Sequence, residues 1–366
     1  MDGGGADLTW SVVWGPAAML AAISFAVCLL LVVTRPLHGR FTHDHVEGPQ
    51  KFHRHEVSRV GGVGIALAYF AAWPLLPEGV SPMWAAIGVA SLPALMAGLA
   101  EDVTRRVGVR WRLLATMGAG VVFAVLSGWD MNKVDLPGVD WVLSFHVAAL
   151  LFTGFAMGGV ANAINIVDGF NGLASGSLLI MFGAFAWVAH QVGDGLVFQL
   201  SILFAAPVLG FFVLNFPSGR IFLGDGGAYF CGFLLAALGV LLPARNPEIS
   251  AWTAILICGY PVIETLASMR RKARRAGHSV GQPDRVHFHM LVHRSFARRL
   301  VPGPGREDVR NPVTSVLTWG LPLLTTVFVM IAWRSALLSA AFFFVAVFVY
   351  GRVYRHMSLN PARRGG

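Results

Sequence analysis

Apolar runs of about twenty residues recur along almost the whole of this chain. Each is long enough to cross a hydrocarbon layer of ~30 Å as a helix. A bilayer offers no partner to a free N–H or C=O group, so such runs close their hydrogen bonds internally as helices. About eleven spans can be read, at roughly 12–34, 61–77, 82–100, 112–128, 142–161, 172–190, 195–214, 226–242, 250–268, 313–333 and 335–352. Composition agrees. Hydrophobic residues make up 55% and charged residues 13%, against about a quarter charged in a soluble domain. The expected fold class is therefore all-α: a polytopic integral membrane protein forming one transmembrane domain over residues 1–366, with a basic loop at 269–312 inside it. The first span follows no basic cluster and precedes no small-residue cleavage site, so it reads as a retained helix rather than a signal peptide.

Charge sets the expected orientation. With the N-terminus outside and the spans alternating, 25 of the 28 Lys and Arg residues fall on inner loops or the C-terminal tail. Only Lys133, Arg245 and Arg334 face out. Basic residues concentrate on the cytoplasmic side of membrane proteins, which predicts an outside N-terminus and a cytoplasmic C-terminus. The net charge of +9 then suits anionic lipid and anionic substrate. No soluble nucleic-acid module is present to suggest that partner. Cys28, Cys231 and Cys258 all lie within spans, without metal-type spacing, and read as small apolar packing residues.

Polar residues that abut the spans fall on one side. Glu101 and Asp102 end the third span, Asn162 to Asn171 join the fifth to the sixth, Asn215 ends the seventh, Asp225 starts the eighth, and a histidine-rich loop follows the ninth. The stretch "NAINIVDGFNGLASG" places Asn162, Asn165, Asp168 and Asn171 at every third position. The first three of these share roughly a 120° arc if helical. Each signal alone has a plainer reading. Asp225 before two glycines fits a helix N-cap, the acidic pair fits a solvated helix end, and the amides can pair between helices. The run "RRKARR" at 270–275 fits a lipid-facing basic patch. Their convergence on one face points to chemistry. A carboxylate at membrane depth costs about 2.5–3.5 kcal/mol and usually has a functional partner. Mg²⁺ takes one or two carboxylates together with phosphate oxygens, and phosphoryl transfer needs cations on the developing charge. A site at the lipid boundary suggests that one substrate is itself a lipid.

The motifs "KFHRHEVSRVGGVGI", "LAEDVTRRV", "NAINIVDGFNGLASG", "NFPSGRIFLGDGG" and "PDRVHFHMLVHR", in this order, resemble those of the polyprenyl-phosphate N-acetylhexosamine-1-phosphate transferases. The resemblance runs from about Lys51 to His293. It implies a bacterial inner-membrane enzyme with its active site on the cytoplasmic face. That enzyme would transfer N-acetylamino-sugar 1-phosphate from a UDP-sugar to polyprenyl (undecaprenyl) phosphate. UMP is released, and a cell-envelope glycan such as O-antigen is initiated on its lipid carrier. It implies Mg²⁺, with Mn²⁺ as the alternative ion, and leaves a homodimer open. Residue by residue, it implies Asp225 as the metal carboxylate with Asn215 beside it, and Asp168, Asn162, Asn165 and Asn171 along the nucleotide–diphosphate region. Glu101 and Asp102 would lie near the acceptor phosphate, and Lys51 and His53 would form the basic entry motif. Arg285, His287 and His289 would hold sugar and diphosphate. Three positions depart from the family pattern. Glu101 stands where Asp is usual, Asn171 where a second acid is usual, and Met290 where a third histidine is usual. The absence of a triple histidine favours a simple UDP-HexNAc donor over a muramoyl-pentapeptide nucleotide. The rival class is a transporter or lipid-linked sugar flippase, which usually shows repeat symmetry and a midplane site. No internal repeat is visible here.

Overall fold

A computed structural model describes residues 12–44, 57–77, 79–274 and 286–359. Its helices are α1 (Trp14–Val33), α2 (Arg35–Thr42), α3 (Gly61–Ala71), α4 (Ser81–Thr104), α5 (Val109–Ser127), α6 (Pro137–Leu143), α7 (His146–Val167), α8 (Leu173–Val192), α9 (Gly195–Asn215) and α10 (Gly224–Arg245). They continue as α11 (Ala251–Ile257), α12 (Gly259–Ala273), α13 (Phe288–Val292), α14 (Arg298–Leu300), α15 (Glu307–Thr318), α16 (Gly320–Ala332) and α17 (Ala336–Leu359). A π-helical turn over His293–Ala297 joins α13 to α14.

Among the described residues, nine helices are long and apolar enough to cross a membrane, counting Glu307–Ala332 as one, and a tenth if α11 and α12 form one bent span. This is an all-α multi-pass membrane protein. Two expected spans differ from the sequence reading. The stretch 61–77 holds only the 11-residue α3 and a short 3₁₀ turn, since Pro74 and Pro77 cannot continue a helix. The stretch 250–268 is broken, with α11 and α12 meeting at 83°. Pro261 has no N–H to give to the carbonyl of Ile257, so the helix ends there and restarts in a new direction.

Helix α10 is the centre. It is apolar all round and buried along nearly its whole length, as expected for an inner helix of a bundle. It packs against α4 and α7, which pack against α5. Small residues let it approach closely. A Cβ on Gly98 would lie 2.5 Å from the Gly226 Cα, so only glycine permits that α4–α10 crossing. Helices α1 and α17 lie at the edge and present most of their apolar side chains outward.

A two-residue antiparallel ladder pairs His43–Asp44 with Val57–Ser58. It continues into the loop that starts α10. Phe222 N–H donates to the Ser58 carbonyl at 2.9 Å, and Gly61 N–H donates to the Phe222 carbonyl at 2.9 Å. This stitching brings Arg59 to the head of α10.

At the opposite end of α10 the Asp194 carboxylate accepts from Arg245 Nε at 2.8 Å, from Asn246 Nδ2 at 3.0 Å and from Val197 N–H at 3.1 Å. It caps α9 and ties it to α10. Burial alone would raise this carboxyl, but the donors of Arg245, Val197 and Asn246 outweigh it and hold it below its ordinary value. Its contribution is therefore full above pH 3.8, the unfolded value, and is lost as pH falls through the lower folded value. Asp194→Asn is expected to destabilise the detergent-solubilised chain by roughly 3 kcal/mol, the lower end for a broken buried pair because Arg245 is partly exposed. Thermal unfolding followed against pH checks this, and the mutant should lack the loss seen in the parent at the most acidic pH.

Candidate active site

Several elements converge on one cavity of about 1070 Å³, among them the end of α4, the start of α5, the end of α7, the start of α10, the bent α11–α12 pair and the histidine segment at α13. Its polar wall includes Arg59, Glu101, Arg112, Asn165, Asp168, Asp225, His287 and His289. Its apolar wall includes Leu136, Val139, Phe152, Phe155 and Trp252. Glu101, Asn162, Asn165, Asp168, Asn171, Asn215, Asp225, His287 and His289, all expected from sequence, border this one space. Lys51, His53 and Arg285 lie outside the described residues.

Asp225 is the electrostatic centre. Its Oδ1 accepts from Arg59 at 3.0 Å and from Asn165 Nδ2 at 3.0 Å, and its Oδ2 accepts from Arg112. Asp225 does not cap its own helix, contrary to the plainer reading of its sequence context. Asp102 does so from α4. Its two oxygens accept from the N–H groups of Asp225 at 2.9 Å and Gly226 at 2.8 Å, and Arg59 stands 3.7 Å away. A carboxylate there satisfies orphan donors and faces the positive end of the helix dipole. Asp102 is only 3% exposed and does not border the cavity. Glu101 does border it, and accepts from Val107 N–H at 2.8 Å.

Several amides hold the fold. Asn162 Nδ2 donates to Thr116 Oγ1 at 2.9 Å and to the Gly158 carbonyl at 2.7 Å, joining α5 to α7. Asn215 Oδ1 accepts from Gly172 N–H at 2.7 Å and Ser175 Oγ at 3.1 Å, while its Nδ2 donates to the Ile221 carbonyl at 2.9 Å. The Asn171 amide donates to the Pro217 carbonyl at 3.0 Å. These bonds fasten the loop before α10 to the start of α8.

The histidine segment closes the site. His287 and His289 stack with centroids 5.4 Å apart. A Cβ on Gly169 would lie 2.8 Å from His289 Nε2, so the glycine after Asp168 makes room for that ring. His293 is fully buried and stacks on Phe170 at 5.1 Å. Burial pushes its imidazole down to about 4, against the nearby Glu307. His293 does not border the cavity.

The sequence reading passed over Arg59, Arg112 and Glu264. Arg59 sits inside a quoted motif, Arg112 opens an apolar span, and Glu264 is the lone acid of another. A charge at membrane depth was the available signal for the last two. Among the described residues no cluster of three or more His, Cys, Asp or Glu side chains forms a metal cage. The carboxylates that line the cavity are Glu101, Asp168 and Asp225, and an ion of the Mg²⁺ type would need only one or two of them beside phosphate oxygens.

Residues 84–242 match the family described as glycosyl transferase family 4. The chain is 28% identical over 275 residues to a protein of Bacillus subtilis (strain 168) named probable undecaprenyl-phosphate N-acetylglucosaminyl 1-phosphate transferase, covering 73% of this chain and 75% of that one. It is 26% identical over 259 residues to the undecaprenyl-phosphate alpha-N-acetylglucosaminyl 1-phosphate transferase of Yersinia pestis, covering 68% of this chain and 70% of that one. A phospho-N-acetylmuramoyl-pentapeptide-transferase of Lactococcus lactis is 29% identical over 194 residues, covering 52% of this chain and 56% of that one.

Asp102→Asn offers one oxygen and one amide nitrogen to two backbone N–H groups, so one buried donor loses its acceptor. The expected result is a stability loss of about 1–3 kcal/mol together with reduced activity, because the start of α10 carries Asp225. Thermal unfolding measured beside turnover separates this from a proton-transfer role, which would remove activity and leave the melting temperature unchanged.

Proposed function

We propose that this chain, whose residues 84–242 match glycosyl transferase family 4, transfers N-acetylamino-sugar 1-phosphate from a UDP-sugar to a polyprenyl phosphate, releasing UMP. The observation that carries this reading is the two-sided cavity. Charged groups for a diphosphate and apolar side chains for a lipid line one continuous space. The apolar wall reaches the protein surface at Phe155, which is 61% exposed, so a lipid tail can lie in the bilayer while its phosphate lies beside Arg59 and Arg112. The sequence assigns most Lys and Arg residues to inner loops, which supports a cytoplasmic active face in a bacterial inner membrane.

The chemistry is one displacement. An oxygen of the acceptor phosphate forms a bond to the sugar-side phosphorus of the donor. The bond from that phosphorus to the bridging oxygen breaks, and the electron pair leaves with UMP. A phosphate monoester has its second pKa near 6, so the acceptor is largely a dianion at neutral pH and the step needs no strong base. Arg59 and Arg112 stabilise charge on the equatorial and leaving oxygens, the largest catalytic contribution such a site makes. Asn165 holds Asp225 in place, and Asp225 holds the two guanidinium groups at the wall. Mg²⁺, held by Asp225 with Asp168 at hand, would neutralise diphosphate charge when bound. His287 and His289 line the cavity as donors or acceptors for sugar and diphosphate.

Purified full-length protein with undecaprenyl phosphate, Mg²⁺ and a panel of UDP-HexNAc donors is expected to release UMP and form a diphosphate-linked lipid. Asp225→Asn should lower turnover at least 100-fold, since an amide neither holds the ion nor balances two guanidinium groups, a loss of roughly 3 kcal/mol or more. Movement of a preformed lipid-linked sugar across vesicles, without UMP release from any donor, would establish the flippase reading instead.

A further inference from the structure

Glu264 lies on α12, fully buried, and belongs to none of the motifs discussed above. Four donors meet its two oxygens. Oε1 receives Arg271 at 3.0 Å and His287 Nδ1 at 2.9 Å. Oε2 receives Phe288 N–H at 3.0 Å and the Tyr350 hydroxyl at 2.7 Å. Tyr350 belongs to α17, beyond the residues matched to the family. Its neighbour on that face, Tyr354, donates to the Val286 carbonyl at 3.0 Å, and Arg271 lies over the Tyr354 ring at 5.0 Å. The histidine segment is thereby bound to both the bent helix and the last helix through one carboxylate.

An ionised carboxylate only accepts hydrogen bonds. His287 must therefore carry its proton on Nδ1, whether the ring is neutral or charged. The partner of one ring nitrogen decides what the other presents. His287 borders the cavity, so Nε2 is the nitrogen it offers there. His289, stacked on His287, has its Nδ1 only 3.4 Å from the Tyr260 hydroxyl, a looser tie.

We propose that Glu264 is a positioning residue for transfer: it fixes the tautomer and orientation of His287. The proposal rests on the transferase reading only for its kinetic arm. Glutamine at this position has one accepting oxygen and a donating nitrogen, so two of the four donors would face a donor. Glu264→Gln is expected to lower kcat roughly 10–100-fold, the scale of one lost charge-assisted bond, with little change in KM for polyprenyl phosphate.

Two measurements test it. In the unmutated, detergent-solubilised full chain labelled with ¹⁵N-histidine, the signal that disappears in His287→Ala should report an Nδ1-protonated ring at alkaline pH. An Nε2-protonated ring overturns the proposal, and this arm decides even where Glu264→Gln fails to fold. In a double-mutant cycle, adding Glu264→Gln to His287→Ala should cost no further turnover, because Glu264 acts through that ring. Fully additive losses mean that Glu264 serves the fold alone and sink the idea. A chain without transferase activity removes the proposed function and leaves the tautomer result standing.

Discussion

The clasp between Asp102 and the first N–H groups of α10 is the interaction on which the rest of the site depends. Helix α10 is the most enclosed element of the bundle, and its N-terminus opens into the polar cavity. Without an acceptor its first donors would be orphaned in a place with little water. Asp102 satisfies two of them from a neighbouring helix, and the glycine contact between Gly98 and Gly226 makes the approach close enough. Once this geometry is set, Asp225 is turned away from capping and into the cavity. Arg59 reaches it through the stitched loop, and Arg112 reaches it from α5.

The arrangement of charge follows from that position. A lone carboxylate at this depth would be costly. Two guanidinium groups and an amide around it make a compensated cluster, held together before any substrate arrives. Such pre-orientation is what lets fixed dipoles and cations act on a transition state without reorganising first. The phosphates of a substrate would meet cations that are already in place rather than flexible side chains drawn from solvent.

Much of this was legible in the sequence, and the rest was hidden for physical reasons. Apolar length located most spans, since it answers directly to membrane thickness. It overran at 61–77 and missed the break at Pro261, because hydropathy does not register where a helix lacks an N–H. The clustering of amides and acids located the cavity. Their separate duties were not legible, since an amide that ties two loops and one that faces a substrate use the same groups. Asn215 and Asn162 are fastened to backbone and side-chain partners, while Asn165 touches the central acid. Glu264 was passed over because a single acid in an apolar run has no sequence neighbour to explain it. Its partners lie at residues 271, 287, 288 and 350 and meet only in three dimensions.

The 83° turn between α11 and α12 has a consequence for kinetics. It leaves Leu266 and Met269, both more than half exposed, along an apolar flank of the cavity. A molecule with a long hydrocarbon tail would approach such a flank by diffusion within a plane. Its effective concentration is then counted per lipid and not per litre, so added inert lipid or detergent would dilute it at constant volume, while a water-borne reactant would be unaffected. The two halves of one cavity would thus obey different laws of mass action.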